Sequence, residues 1–195
     1  MIRLLLATTN AGKQRELRRL LARVAADVVT PGEIGLSIEV DEPYDTYAEN
    51  AMAKADAYAR ASGLLSLADD SGIEVAALDW GPGVRSARWG DGRHADRLLE
   101  VLAEATDRRA RMVCVLALAR PGRSEPMVEV FTGVLEGSIT HEHRGSGGFG
   151  FDPIFLVPGG QTTAELSEAA KDLVSHRGQA MAAAIPRLRE LLVAP

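Results

Sequence analysis

The segment from Leu65 to Val75, LSLADDSGIEV, places two adjacent carboxylates directly after an apolar run. The run LLSLA predicts a buried strand, with Asp69 and Asp70 at its carboxyl end. In an open α/β sheet, ligands bind in a crevice at this end of the strands, where paired acids can hold a divalent metal or activate water. The alternative is a solvated Asp-Asp-Ser-Gly turn, for which these residue types are also typical.

Composition permits an enzyme and excludes some other classes. The chain has 195 residues, 46% of them hydrophobic, which is enough to bury a core. Its net charge of −5 and the absence of a long basic run argue against nucleic acid as a partner. The single cysteine, Cys114, lies in the apolar run MVCVLALA and is predicted to be a core thiol. The N-terminus lacks a signal-peptide pattern and no segment is apolar enough for a membrane span, so we expect a cytoplasmic protein without membrane association.

Lysine is rare in this chain. Of 22 basic residues only Lys13, Lys54 and Lys171 are lysines, so arginine is the usual cation. An ammonium group is a compact point charge suited to a single phosphate or carbonyl oxygen, whereas arginine presents a planar fork. Each lysine is therefore either a candidate site residue or a survivor of compositional drift toward arginine.

The N-terminal region predicts a strand, a turn and a helix. Residues Ile2 to Ala7 form an apolar strand pattern, and Lys13 to Val24 has helical periodicity. The turn between them, TTNAGK, would present backbone amides and Lys13 as a phosphate cradle, or would be a plain connection. It is not a Walker A loop, because Gln14 follows the lysine where a metal-binding hydroxyl is required.

A second acid pair precedes the next predicted helix. The segment IEVDEPYD predicts a strand that ends at Asp41 and Glu42. Thr46 and Glu49 then form a capping-box pattern, and an alanine-rich helix follows to about Gly63. Asn50 and Lys54 share one face of this helix, which is either a functional edge or a solvated and structural face.

The C-terminal half contains long strands and a glycine-rich loop. Arg111 to Arg120 and Val128 to Thr140 predict neighbouring antiparallel strands joined by the loop RPGRSEP. The segment RGSGGFGFDPIF allows close backbone approach and supplies phenylalanines on which a flat base could stack, or it is a hinge with core phenylalanines. Ser175 is predicted to cap the last helix. The order of elements predicts one α/β unit with two lobes and a cleft rather than separable domains.

The order of these segments closely resembles the inosine triphosphate pyrophosphatase family, also called the Ham1-like family. The resemblance covers nearly the whole chain and rests on LLATTNAGKQREL, AENAMAKA, LADDSGIEV, GPGVRSAR, GGFGFDPIF, TTAELSEAAK and SHRGQA. It implies a single domain over residues 1–195, with a mixed, elongated central sheet flanked by helices and an active site in the cleft between two lobes.

The resemblance also implies roles for individual residues. Asp70 would be the general base, and Mg²⁺ would be held by Asp41 or Glu42 together with Asp70. The residues implied in substrate binding are Thr8, Thr9, Asn10, Ala11, Gly12, Lys13, Ser71, Phe149, Gly150, Phe151, Asp152, Lys171, His176 and Arg177. Many members carry glycine where this chain has Thr9, and a positive φ there would strain a threonine.

The activity implied by the resemblance is hydrolysis of ITP, dITP and XTP to the monophosphate and pyrophosphate, by water attack at the α-phosphorus. Members of the family are homodimers, so a homodimer is expected. Two alternatives are a module that senses a purine nucleotide without cleaving it and a pyrophosphatase of different base specificity. The paired acids disfavour a pure binder, because acids near phosphate gain nothing unless a metal lies between them.

Overall fold

The computed structural model describes residues 2–122 and 128–193. Its strands are β1 (Arg3–Leu6), β2 (Asp27–Val29), β3 (Leu65–Val75), β4 (Gly81–Pro82), β5 (Arg109–Ala119), β6 (Val128–Ile139) and β7 (Phe155–Leu156). Its α-helices are α1 (Ala11–Leu20), α2 (Tyr47–Ser62), α3 (His94–Val101), α4 (Glu168–Val174) and α5 (His176–Val193). Short 3₁₀ helices cover Gly32–Ile34, Ala76–Leu78, Gly83–Arg88 and Asp152–Ile154.

The strands form a mixed sheet in the order β2-β1-β3-β5-β6-β7, with β4 paired to β3. Strand β1 is parallel to both β2 and β3, whereas β4 is antiparallel to β3 and β7 is antiparallel to β6. Parallel neighbours need crossover segments, and α1 and α2 lie in the segments that connect β1, β2 and β3. The predicted α/β class with a mixed sheet is confirmed.

The chain divides into two compact units. The first contains the described residues of Met1–Asp70, Val115–Thr132 and Ala180–Pro195, and the second contains Ser71–Cys114 and Gly133–Gln179. The boundary in β3 falls between the acid pair and Ser71. The candidate residues therefore belong to two groups, one in each unit.

Each unit buries apolar residues of its own. In the first unit, Leu4, Leu5 and Leu6 of β1 are completely buried. The core of the second unit is formed by Ile73, Val75, Ala95, Leu98, Leu102, Ala110, Met112, Leu135, Ile139, Ile154, Phe155 and Val157. Cys114 is buried, which confirms the predicted core thiol.

Capping residues set the starts of three helices. Helix α1 begins at Ala11, two residues before the predicted start, and the Asn10 side chain accepts the hydrogen bond of the Lys13 N–H at 3.0 Å. At α2 the predicted capping box is confirmed, because the Thr46 hydroxyl accepts the Glu49 N–H at 3.2 Å. Ser175 lies directly before α5 and accepts the Gly178 N–H at 3.0 Å, as predicted.

The prediction that the acid pair ends a strand is wrong. Strand β3 runs through Asp69 and Asp70 to Val75. The strand continues because Ile73 and Val75 are completely buried and because residues 74 and 75 pair with β4. Acids interrupt an apolar run without ending a strand when the following residues restore its pairing and burial.

The predicted strand before Asp41 and Glu42 is also wrong. Residues 36–46 have no helix or strand. Near the end of this segment the Asn50 side-chain amide binds the backbone of Tyr44, accepting its N–H and donating to its carbonyl, both at 3.1 Å. A side chain of α2 thus supplies hydrogen bonds that a neighbouring strand would otherwise supply.

The two predicted long strands are present as β5 and β6, and they are neighbours in the sheet. Most of the RPGRSEP loop predicted to join them lies outside the described residues. Within residues 2–122 and 128–193, the helices lack the length and hydrophobicity that a membrane crossing requires.

Candidate active site

The TTNAGK turn is organised by its own side chains. The Thr8 hydroxyl accepts the Asn10 N–H at 3.2 Å, and Gln14 donates to the Thr8 carbonyl at 2.7 Å. Because Asn10 also accepts the Lys13 N–H, two of the predicted cradle amides already have partners inside the turn. The turn is therefore held together by hydrogen bonds of its own, and Lys13 is its cationic side chain.

Thr9 fits this turn without backbone strain. In the described part of the chain, the non-glycine residues with positive φ are Asp79, Trp80 and Asp91. Thr9 does not have a positive φ, so its β-branched side chain is compatible with the loop.

The acid pair lies close to two of the three lysines, Lys13 and Lys54. Asp69 is completely buried and its carboxylate pairs with the Lys13 ammonium. The Lys54 ammonium donates to the Asp69 carbonyl at 3.1 Å and pairs with the carboxylate of Glu42. These two carboxylates and two ammonium groups form one cluster in the first unit, and all four charges act on the neighbouring Asp70 carboxyl.

Beside this cluster, the pKa of the Asp70 carboxyl is shifted toward neutral pH. It is 6% exposed, and this burial raises the pKa of its carboxyl to about 6. The charges of Lys13 and Lys54 lower that pKa, while those of Glu42 and Asp69 raise it. A carboxylate with this pKa can accept a proton near physiological pH.

Glu42 fits a metal site with Asp70 better than Asp41 does. The Glu42 charge raises the pKa of the Asp70 carboxyl, whereas Asp41 is exposed. Carboxylate oxygens are the donors that Mg²⁺ prefers, and a divalent cation would relieve the repulsion between these two acids. Among the described residues, no group of three His, Cys, Asp or Glu side chains is arranged as a complete metal site.

The second unit contains an aromatic ring with two cations beside it. The Lys171 ammonium lies 5.5 Å and the Arg177 guanidinium 5.7 Å from the centre of the Phe149 ring. Arg177 is 2% exposed and donates to the Ser71 hydroxyl at 3.0 Å. Buried donors beside an aromatic face suit a flat ring that carries carbonyl oxygens.

Asp152 organises this cluster from within. The residue is 3% exposed, and its carboxylate accepts the Phe149 N–H at 2.6 Å and pairs with the Lys171 ammonium at 2.5 Å. Gly148 allows this approach, because it has a φ of +71° and a Cβ there would lie under 3.0 Å from the Asp152 carboxylate. Asp152 therefore holds the loop and the lysine in place.

The other predicted residues of this region lie in different surroundings. Phe151 packs against the core of the second unit, with its ring centre 5.8 Å from that of His94. Gly150 has a φ of +62°, and a Cβ added there would meet open space. His176 is 7% exposed and begins α5.

A family model described as "Ham1 family" matches residues 4–187 of this sequence. The chain belongs to the Ham1 family. It is 45% identical over 193 residues to the dITP/XTP pyrophosphatase of Nostoc sp., covering 97% of this chain and 95% of that protein. It is 46% identical over 195 residues to the dITP/XTP pyrophosphatase of Symbiobacterium thermophilum, covering 97% of this chain and 96% of that protein.

Solved structures of Ham1 proteins have the same fold. A HAM1 protein from Coxiella burnetii superimposes with a TM-score of 0.84 at 38% identity, covering 97% of this chain and all of that one. A nucleoside-triphosphatase / dITP/XTP pyrophosphatase from Mycobacterium abscessus gives a TM-score of 0.72 at 39% identity, covering 95% of this chain and all of that one.

The predicted site omits Lys54 and Asp69, which lie in the first cluster, and Asn50, which binds the Tyr44 backbone. The sequence names Asp69 as one of the paired acids and leaves the shared face of Asn50 and Lys54 as either a functional edge or a structural face. The capping box fixes the register of α2 and so places these two residues one turn apart on that face. Partners from distant segments then give these side chains their roles.

Proposed function

We propose that this chain hydrolyses non-canonical purine nucleoside triphosphates, namely ITP, dITP and XTP, to the nucleoside monophosphate and pyrophosphate. The observation that carries the proposal is the match, at about 45% identity over nearly the full length, to proteins named dITP/XTP pyrophosphatases. The acid and lysine cluster around Asp70 supplies chemistry suited to that reaction. Because the relatives are named as enzymes, a sensor without turnover is disfavoured.

The first unit would carry out hydrolysis. Asp70 accepts a proton from water, whose oxygen attacks the α-phosphorus while the bond from this phosphorus to the bridging oxygen breaks. The bridging oxygen leaves with pyrophosphate. Lys13 and Lys54 stabilise negative phosphate oxygens, because an ammonium group has three donors and can bind phosphate while keeping its carboxylate partner. Glu42 and Asp70 would hold Mg²⁺, which would supply charge neutralisation of the polyphosphate.

The second unit would select the base. The ring of Phe149 provides a stacking face, and Lys171 and Arg177 provide donors for a 6-oxo group. The 6-amino group of adenine would face these donors without an acceptor. Mismatched buried polar groups typically reduce kcat/KM by several orders of magnitude.

The proposal further includes a homodimer, as the family resemblance implies, and a cytoplasmic location. Light scattering coupled to size-exclusion chromatography tests the oligomeric state. A mass equal to that of one chain across the micromolar range would contradict the dimer without affecting the proposed reaction.

The test of the activity is pyrophosphate release across a panel of ITP, dITP, XTP, ATP and GTP. We expect release with the first three in Mg²⁺, and its loss in excess EDTA. The kcat/KM for ITP should exceed that for ATP at least about 100-fold. Orthophosphate as the initial product would indicate a different hydrolase, and equal rates for ATP and ITP would contradict the proposed base selectivity.

A further inference from the structure

Three donors surround the buried carboxylate of Asp152. Oδ2 accepts hydrogen bonds from the Phe149 N–H and the Lys171 ammonium. The Thr163 hydroxyl lies 2.8 Å from Oδ1, which accepts its hydrogen bond, and 3.1 Å from the Asp152 carbonyl oxygen, the longer of the two distances. Oδ2 thus binds Phe149 and Lys171, which are proposed to bind the base. Oδ1 is held by Thr163, which is not among the predicted site residues.

Thr163 is itself fixed by the backbone around it. It is 1% exposed, and its N–H donates to the Phe155 carbonyl at 3.0 Å. The N–H of the next residue, Ala164, donates to the Asp152 carbonyl at 3.2 Å. The Thr163 hydroxyl therefore comes from a rigid position, which makes it an effective anchor for a carboxylate.

We propose that Thr163 is a positioning residue for base selection: its hydroxyl locks the Asp152 carboxylate, which in turn fixes the Lys171 ammonium beside the Phe149 ring. The inference rests on the proposed function, because it assigns a role in the same base pocket. Without the hydroxyl, Oδ1 loses its donor and the carboxylate can rotate about its Cβ–Cγ bond. Lys171 then loses the fixed direction from which it donates to a 6-oxo group.

The adjacent threonine provides a matched control. Thr162 is completely buried, and its hydroxyl donates to the Arg144 carbonyl at 2.8 Å rather than to Asp152. Thr162→Val and Thr163→Val each remove one buried hydroxyl of the same type, so they separate a general loss of stability from an effect on Asp152. Thr163→Ser keeps the hydroxyl and is the rescue variant.

The experiment measures binding of IMP and AMP to the full chain in EDTA, and kcat/KM for ITP and ATP in Mg²⁺. We expect Thr163→Val to weaken IMP binding about 10-fold, with a smaller effect on AMP, since a hydrogen bond to a charged group is lost. The preference for ITP over ATP should narrow by a similar factor, mainly through KM. Thr162→Val should leave both preferences unchanged, and Thr163→Ser should restore them.

Each outcome decides one of the two proposals. If Thr163→Val and Thr162→Val give the same IMP-to-AMP ratio as the unmodified chain, Thr163 has no positioning role. If Thr163→Val does not fold, Thr163→Ala with Thr163→Ser provides the comparison. A third outcome is that the unmodified chain prefers IMP to AMP, that Thr163→Val loses this preference, and that no nucleotide yields pyrophosphate. In that case the proposed function fails and the positioning role stands.

Discussion

The Lys13 ammonium pairs with the carboxylate of Asp69, the residue next to Asp70 in β3. The Asp69 side chain is completely buried, so Lys13 neutralises a charge that has no access to solvent. This lysine therefore has a structural partner in addition to its predicted role toward phosphate. The pair links the TTNAGK turn to β3.

Lys13→Met should destabilise the protein by about 3 kcal/mol, because breaking a buried ion pair leaves an uncompensated charge. Lys54→Met should cost less, because the side chain of its partner Glu42 is 23% exposed. Adding Asp69→Asn to Lys13→Met should recover much of the stability. Urea unfolding of the three variants measures these differences, and equal losses for the two lysine variants would argue against the buried pair.

Asp70→Asn should lower turnover by about 10² to 10⁴, because the amide cannot accept the proton of water. The same change should stabilise the metal-free protein. Folding raises the Asp70 pKa from 3.8 to about 6, so the folded state binds the proton more tightly than the unfolded state. The stability contributed by Asp70 is complete below about pH 4 and is lost as the pH rises through about 6.

The stabilisation by Asp70→Asn in EDTA should therefore be small at about pH 4 and approach about 3 kcal/mol above about pH 7. Asp107→Asn is the control of opposite sign, because hydrogen bonds from Arg109 lower the Asp107 pKa to about 2. The Asp107 contribution is present above about pH 4 and is lost as the pH falls through about 2. Unfolding curves from about pH 2 to about pH 7 measure the contributions of Asp70 and Asp107. A pH-independent effect of Asp70→Asn would contradict the raised pKa.

Gly148→Ala should disrupt the base pocket more than Gly150→Ala does. Both glycines have positive φ, so both substitutions carry the strain of a left-handed backbone, about 1 kcal/mol. Only the Cβ at residue 148 collides with the Asp152 carboxylate, whereas residue 150 has open space. We expect IMP binding to weaken much more in Gly148→Ala. Indistinguishable IMP affinities and melting temperatures would contradict the proposed packing.

Asn50→Ala should raise the Mg²⁺ concentration required for half-maximal activity, because the amide holds Tyr44, two residues after Glu42. Thr46→Ala removes the cap of the same helix and should cost about 1 kcal/mol of stability without changing the Mg²⁺ requirement. Titration of activity with Mg²⁺, together with thermal unfolding, separates the two effects. A changed Mg²⁺ requirement in both variants would assign the effect to α2 as a whole.

Local patterns in the sequence determined two helix starts and the family. Thr46 and Ser175 are predictable caps because a cap and its partner lie within three residues of each other. The Asn10 cap is absent from the prediction, which starts α1 two residues late. The separated motifs likewise appear in the printed order of residues, so the Ham1 resemblance needed no coordinates. The core thiol Cys114 followed from the apolar run around it.

The partners of buried charges were decided only by the tertiary structure. The sequence predicts Asp152 as a substrate-binding residue, whereas folding alone brings Thr163 and Lys171 to its carboxylate. Likewise, Lys54 reaches Asp69, fifteen positions along the chain. A buried charge must be compensated by whichever groups the fold brings to it, and the spacing of residues in the sequence does not specify those groups.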